Sequence, residues 1–379
     1  MPTGEILELT FTNDHKQLRG GTGHAGTGSL LTAPHWVKGG SNHAVTYTKG
    51  TTMSVTVKVK VLPAGTKYKL FGIDKLQMFF NFESPVAVAT GMPQVFTLKA
   101  KAPLPQQINE FKSTTIWNVA TVEVPQKWAN VGTTGEHSVF VLLGDPILKN
   151  SFGLDNFLTV NRARTAVTAA SGLNDIDRIA ARVQSFVNGS STLGTGQRVT
   201  IDYGKSDVGD QLWSLLDAGA TARGHCGEAS FLMEQMLRLL GIKAQQKHVY
   251  GRTDKGALDR GENLRFTDES TGKVVGTGPQ VRTCKKHGEE KLWLNFTASG
   301  YSLNWAEGSV EVKGKLYGGL INEIGEAKAG MTASHDLLLK LEKDLKPRFQ
   351  VWSSDNSTGC ELSASESGAG DPFPPVPSP

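Results

Sequence analysis

Cysteine is scarce: only Cys226, Cys284 and Cys360 stand among 379 residues. They are too few and too widely spaced for a disulfide framework or a CxxC metal knuckle, so each thiol needs its own explanation. No apolar run approaches the ~20 residues that a membrane-spanning helix needs. The opening MPTGEILELT lacks the basic-then-apolar order of a secretory leader. A cytoplasmic location with no membrane partner is the expectation, and export by a route without a signal peptide stays open. Charge of one sign is lacking too, since 40 Lys and Arg against 36 Asp and Glu leave a net +4 with the signs mixed along the chain. A nucleic-acid binder usually carries a concentrated basic stripe and a pI above ~9; the pI here is 8.8, and no nucleic-acid partner is expected. The oligomeric state leaves no trace in the sequence, and no internal repeat is present.

What the chain does have is length, glycine and two distinct periodicities. Its length suits about two to three domains, and 43 glycines favour strands and loops. Up to about residue 145, apolar and polar residues alternate as in half-buried strands. The clearest run is MSVTVKVKVL, in which Val55, Val57, Val59 and Val61 share one face and Lys58 and Lys60 the other. ILELTFT, HAVTYT, KYKLFGI, QMFFNF, QVFTLKAKA, TIWNVATVEV and SVFVLLG read as further strands. Residues 1–148 are therefore expected to form an antiparallel β-sandwich of immunoglobulin-like kind.

After Gly144-Asp145-Pro146 the period becomes helical. LNDIDRIAARVQSFV spaces Ile176, Ile179, Ala180, Val183, Phe186 and Val187 for an amphipathic helix, with Asn174 as its cap. NFLTVNRARTAVTAA reads as another helix ended by Gly172. GEASFLMEQMLRLLG stops at Gly241, and its apolar residues spread beyond one stripe, so it is expected to be largely buried. KAQQKHVYG, EKLWLNF and parts of WAEGSVEVKGKLYG read as strands and SHDLLLKLEKDL as a late helix. Residues 349–379, ending in SGAGDPFPPVPSP, read as a disordered tail. The whole is an α+β chain.

The sharpest chemical feature is Gly224-His225-Cys226-Gly227-Glu228 at the start of the expected buried helix. A thiol there feels the partial positive charge of unsatisfied backbone N–H groups, which stabilises its thiolate. Those N–H groups also suit a developing oxyanion. The plain alternative is a cysteine that fills space in a core.

The stretch GHCGEASFLMEQMLRLLGIKAQQKHVYGRT resembles the transglutaminase-like branch of the papain-like cysteine enzymes. Arg238, Gly241, Ile242, Ala244, Val249 and Gly251 fall where that pattern wants them, and the likeness covers roughly residues 155–310 of a domain at 149–348. It implies a Cys, His, acid triad in that chain order, acting on amide bonds of a protein or peptide through a thioester, without metal or cofactor. Cys226 takes the nucleophile's place. Where the family has histidine in an H-x-W pattern, this chain has Lys291 ahead of Trp293. His287, just upstream, is then the expected base, with His248 or no competent histidine as alternatives. Glu307 takes the acid's place, with Asn295 as a second group able to orient a ring. Gly224, His225, Lys291, Trp293, Asn295 and Trp213 are the expected substrate-side positions, although Trp213 also suits a core. Lys291 motivates a rival expectation, a catalytically inactive fold that serves binding or assembly. A toxin or effector that modifies a glutamine would use the same thiol.

Three weaker signals carry less. Gly21 to Gly26 satisfies GxGxxG but no helix follows and no acidic residue stands where a ribose would need one. His15, His24, His35 and His43 match no zinc spacing, and Cys284 reads as a bystander thiol.

Overall fold

The computed structural model describes residues 2–21, 28–74, 78–123, 126–151, 153–187, 213, 226–252, 265–267, 274–283, 290–298, 301–303, 307–317, 348–353 and 361–366. The fold is β-rich α+β, and the chain divides into two compact units, Met1–Pro146 with Phe157–Asn174 and Ile147–Asn156 with Asp175–Pro379.

The first unit contains β1 (Thr3–Phe11), β2 (Trp36–Val37), β3 (Val45–Thr48), β4 (Ser54–Leu62), β5 (Lys67–Ile73), β6 (Phe82–Glu83), β7 (Ala87–Val88) and β8 (Gln94–Lys99). It continues with β9 (Asn109–Ser113), β10 (Ile116–Thr121), β11 (Trp128–Thr133), β12 (His137–Leu142) and α1 (Val160–Ala169). Three sheets form, ordered β2-β1-β4-β8, β11-β10-β5-β6 with β7 on β5, and β3-β12-β9. The valines of β4 are fully buried, as the alternation requires, and pair with Ile6, Leu9 and Phe11 of β1 through Val59, Val57 and Val55. Their faces join Tyr68 and Leu70 of β5, Trp117 and Val119 of β10, and Val139 and Val141 of β12 in one core.

The expectation of purely antiparallel sheets is corrected at one pair. β12 pairs β9 antiparallel but β3 in parallel. QMFFNF is likewise no continuous strand: Met78–Phe80 is a 3-10 turn, and Phe82–Glu83 pairs with β5. Phe80 and Phe82 are both buried, so the same apolar alternation serves a turn and a short strand.

Gly72 of β5 pairs with Trp117 of β10, whose ring stacks on Phe82 at 5.9 Å. A Cβ on Gly72 would meet the Trp117 ring at 2.7 Å. A Gly72→Val variant is therefore expected to lose about 1–3 kcal/mol through overpacking, read from the urea midpoint. An unchanged midpoint would mean that the Trp117 ring has room to move.

Helix α1 belongs to this unit, and the reason is local. Thr159 accepts a hydrogen bond from Arg162 N–H and caps the helix. Arg164 bonds Glu110 of β9 through Nε and a terminal nitrogen at 3.2 Å and lies over the Phe140 ring of β12. Gly172, at φ +77°, lets the chain turn so that its N–H reaches Ile108 O. Residues 157–174 thus group with the strands that precede them, within the first unit.

The second unit has α2 (Ile176–Val187), α3 (Cys226–Leu239), β13 (Gln245–Arg252), β14 (Arg265–Thr267), β15 (Val274–Thr283), β16 (Glu290–Ala298) and β17 (Tyr301–Leu303). Then follow β18 (Glu307–Val312), β19 (Lys315–Tyr317), β20 (Arg348–Ser353) and β21 (Glu361–Glu366). One sheet runs β19-β18-β13-β20-β21, the other β14-β15-β16-β17. The cap of α2 is Asp175, not Asn174: its carboxylate accepts from Arg178 N–H at 2.9 Å, three residues on. β18 and β19 join through Lys313 and Gly314, both at positive φ (52° and 76°), the two-residue turn whose twist suits a hairpin. Strands β20 and β21 occupy the segment expected to be tail; 367–379 and the expected helix at 334–345 lie outside the described residues. No helix among the described residues is long and apolar enough to cross a membrane.

Candidate functional site

Helix α3 opens at Cys226, the position the sequence singled out. From Ser230 to Leu240 almost every residue is buried, including Leu232, Met233, Met236, Leu237, Leu239 and Leu240. An apolar surface on all sides is what a core helix needs, and α2, β13 and β18 pack against it.

The far end of the helix closes in a Schellman turn. Gly241, at φ +83°, sends its N–H to Arg238 O at 3.0 Å, and Ile242 N–H reaches Leu237 O at 3.0 Å. Ile242 and Ala244 are buried beyond it. Arg238 Nε donates to Ala244 O at 2.9 Å, and another guanidinium nitrogen to Lys149 O at 2.7 Å. Four of the residues that fitted the family-like pattern thus have a structural task, the corner between α3 and β13.

A strap that the sequence did not reveal fixes this helix from the side. In 147–156, Ile147 N–H bonds Arg238 O, Ser151 donates to Glu234 through N–H at 2.7 Å and Oγ at 3.1 Å, and Asn156 Nδ2 donates to Gln235 O at 3.0 Å. Glu234 is fully buried and pairs with Arg238 at 2.8 Å. Burial pushes its carboxyl above the ordinary range, against the pull of Arg238 and Ser151. A Glu and an Arg spaced i, i+4 on an apolar helix were the available signal.

Trp213 is fully buried and its indole N–H donates to Gln235 Oε1. Of the two places the sequence offered it, channel lining and core, the burial and this bond accord with the core.

The other expected positions fall as follows. Gly224, His225, Cys284, His287 and Cys360 lie outside the described residues, as does 22–27 of the glycine loop with His24. Lys291, Trp293 and Asn295 occupy alternate positions of β16, which comes into contact with β13. Glu307 begins β18 in register with Val249, and Gly308 is in register with His248. Gln246 is in register with Val310, so their side chains share one face of the sheet. That face packs on α3: Val310 and Val312 are buried, and Gln246 Nε2 donates to Ser230 Oγ at 2.8 Å.

The N-terminal histidines meet structural partners. His35 is buried, accepts Phe11 N–H at Nδ1, and so presents Nε2–H to Asp14 Oδ2 at 3.6 Å. His15 Nε2 lies 3.1 Å from Thr48 Oγ1, and His43 Nδ1 lies 3.3 Å from Thr32 O. Among the described residues no group of three or more His, Cys, Asp or Glu could hold a metal ion.

No protein-family profile and no curated protein sequence matches the chain. Among solved structures it is similar to the transglutaminase of red sea bream, at 11% identity and a TM-score of 0.33, over 73% of this chain and 46% of that one. The chain therefore spans about half the length of that enzyme.

Proposed function

We propose that the second unit is a transglutaminase-like cysteine enzyme in which Cys226 performs acyl transfer at amide bonds of a protein or peptide. The observation that supports it most is the place of Cys226 as first residue of a helix held from three directions, by α2, by the β13–β18 sheet and by the 147–156 strap. The unsatisfied N–H groups of a first helical turn stabilise both a thiolate and an oxyanion. The rigid mounting keeps that field aimed at one point. Sulfur attacks the carbonyl carbon, the amide nitrogen leaves with a proton, and a thioester remains for water or an amine to take. No metal or cofactor is needed for this chemistry. The expected base and acid, His287 and Glu307, belong to the same proposal, as does reading the first unit as an immunoglobulin-like sandwich around its single core.

The test is native-state alkylation. Brief treatment with iodoacetamide is expected to modify Cys226 well ahead of Cys284 and Cys360, read by peptide mass spectrometry. Equal labelling of all three would refute an activated thiol. It would also favour the second reading, a binding or assembly module, for which Lys291 in the place of the family's histidine is the specific support.

A further inference from the structure

Residues 32–43 lie along the edge of β1 and are lightly held. Leu31 N–H bonds Leu18 O just before them, and Val45 enters β3 just after. Within the segment His35 and Trp36 are the buried residues, and β2 is two residues long. His35 N–H donates to Leu9 O and Lys38 N–H to Leu7 O, both at 2.9 Å. A stretch that buries so little opens more readily than the sheet beneath it.

Three imidazoles fasten this segment around the Phe11 ring. His35 Nδ1 accepts Phe11 N–H at 3.2 Å, His43 N–H donates to His35 O at 2.8 Å, and His43 O accepts from His137 Nδ1–H at 3.1 Å. The rings of His35 and His137 stand edge-on to Phe11 at 5.6 and 5.3 Å, and those of His35 and His43 are 6.5 Å apart. His35 can hold Phe11 N–H only while its Nδ1 carries no proton. His137 is 1% exposed and its Nε2 has no hydrogen-bond partner among the described residues, so a second proton there is a buried charge without an acceptor.

The charged neighbours do not offset three positive rings. Asp14 stands 3.6 Å from His35 but also pairs with Lys16. Asp145, at 3.8 Å from His15, is exposed, and Tyr47 packs its ring on Phe11. On β9, Ser113 is in register with His137 and gives its hydroxyl proton to Asp74. Glu136, next to His137 in the chain, pairs with Lys112.

We propose that residues 32–43 form an acid-released clasp, which peels from β1 when its histidines and His137 take up protons, while the sheets beneath stay folded. Opening admits water to the His137 ring and bares the backbone edge of β1 from Leu7 to Phe11, to which another extended strand can pair. Burial holds the His137 pKa down to about 4 in the closed form, and release returns it towards 6.5, so acid favours the open form across that interval.

The test is amide hydrogen exchange of the full chain at pH 7 and pH 5, corrected for the intrinsic pH dependence and read by peptide mass spectrometry. Protection of 32–43 is expected to fall about tenfold or more on acidification, while that of β4 holds. His137→Gln should abolish most of the pH response; His137→Phe, which keeps a ring in place, should do the same, with circular dichroism reporting the fold of both. Unchanged protection of 32–43 at pH 5 overturns the proposal, as does equal loss in β4, which would mean global unfolding. A pH response that persists in either folded variant overturns it too.

Discussion

An Arg238→Met variant is expected to lose about 3–5 kcal/mol of stability in equilibrium unfolding. Removing one member of a buried pair strands the other charge in a low-dielectric interior. Glu234 would then keep only the two Ser151 donors in a site without exposure, and the bonds to Ala244 O and Lys149 O would go as well. The double variant Glu234→Gln/Arg238→Met should be less destabilised than Arg238→Met alone, because no charge is left behind. The pH dependence carries a definite sign. The folded carboxyl titrates above its ordinary 4.5, so the folded state holds the proton more tightly than the unfolded chain. Stability from this group therefore falls as pH rises from 4.5 through the folded value. The Arg238→Met deficit should shrink on acidification towards about pH 4.5; a deficit independent of pH would contradict the buried-charge account.

The second large effect lies in the first unit and runs the other way with pH. His137 on β12 is 1% exposed, its Nδ1–H donates to His43 O at 3.1 Å, and its Nε2 has no hydrogen-bond partner among the described residues. The Phe11 ring stands edge-on to it at 5.3 Å. Burial, aided by His35 and His43, pushes its pKa down to about 4 from the usual 6.5, against the hydrogen bond to His43 O. The unfolded chain takes up a proton near 6.5 that the folded one refuses until about 4. Stability contributed by neutral His137 is therefore complete above 6.5 and lost on descent to 4, about 3 kcal/mol in all. A His137→Gln variant should be flatter over that interval. Equal slopes in the two proteins would show that His137 is not buried as a neutral ring.

The regular alternations and the helix periods are the legible part of this fold, because a buried face imposes its spacing on the residues that fill it. Val55 to Val61, the α2 stripe and the Gly241 stop are examples. Strand β9, with Asn109, Glu110 and Lys112 around Phe111, has no such pattern; it is held by β12 and by Arg164 of a distant helix. The parallel β3–β12 pair and the return of α1 to the first unit depend on long-range pairing that spacing does not encode. At the site, the helix opening at Cys226 follows from local signals. Its strap emerges only once Ser151 meets Glu234 and Asn156 meets Gln235. For Trp213 the residue type favours a core over a channel, and only a partner such as Gln235 shows where its N–H goes.

The most direct test of Cys226 as an acyl-accepting nucleophile uses p-nitrophenyl acetate, an activated ester indifferent to substrate preference. Wild type should release a burst of nitrophenolate approaching one equivalent per chain, with the acetyl group on the Cys226 peptide and removed by hydroxylamine. Cys226→Ala should show none. A burst that survives in Cys226→Ala, or wild type that acetylates no faster than the unfolded chain, would contradict the account.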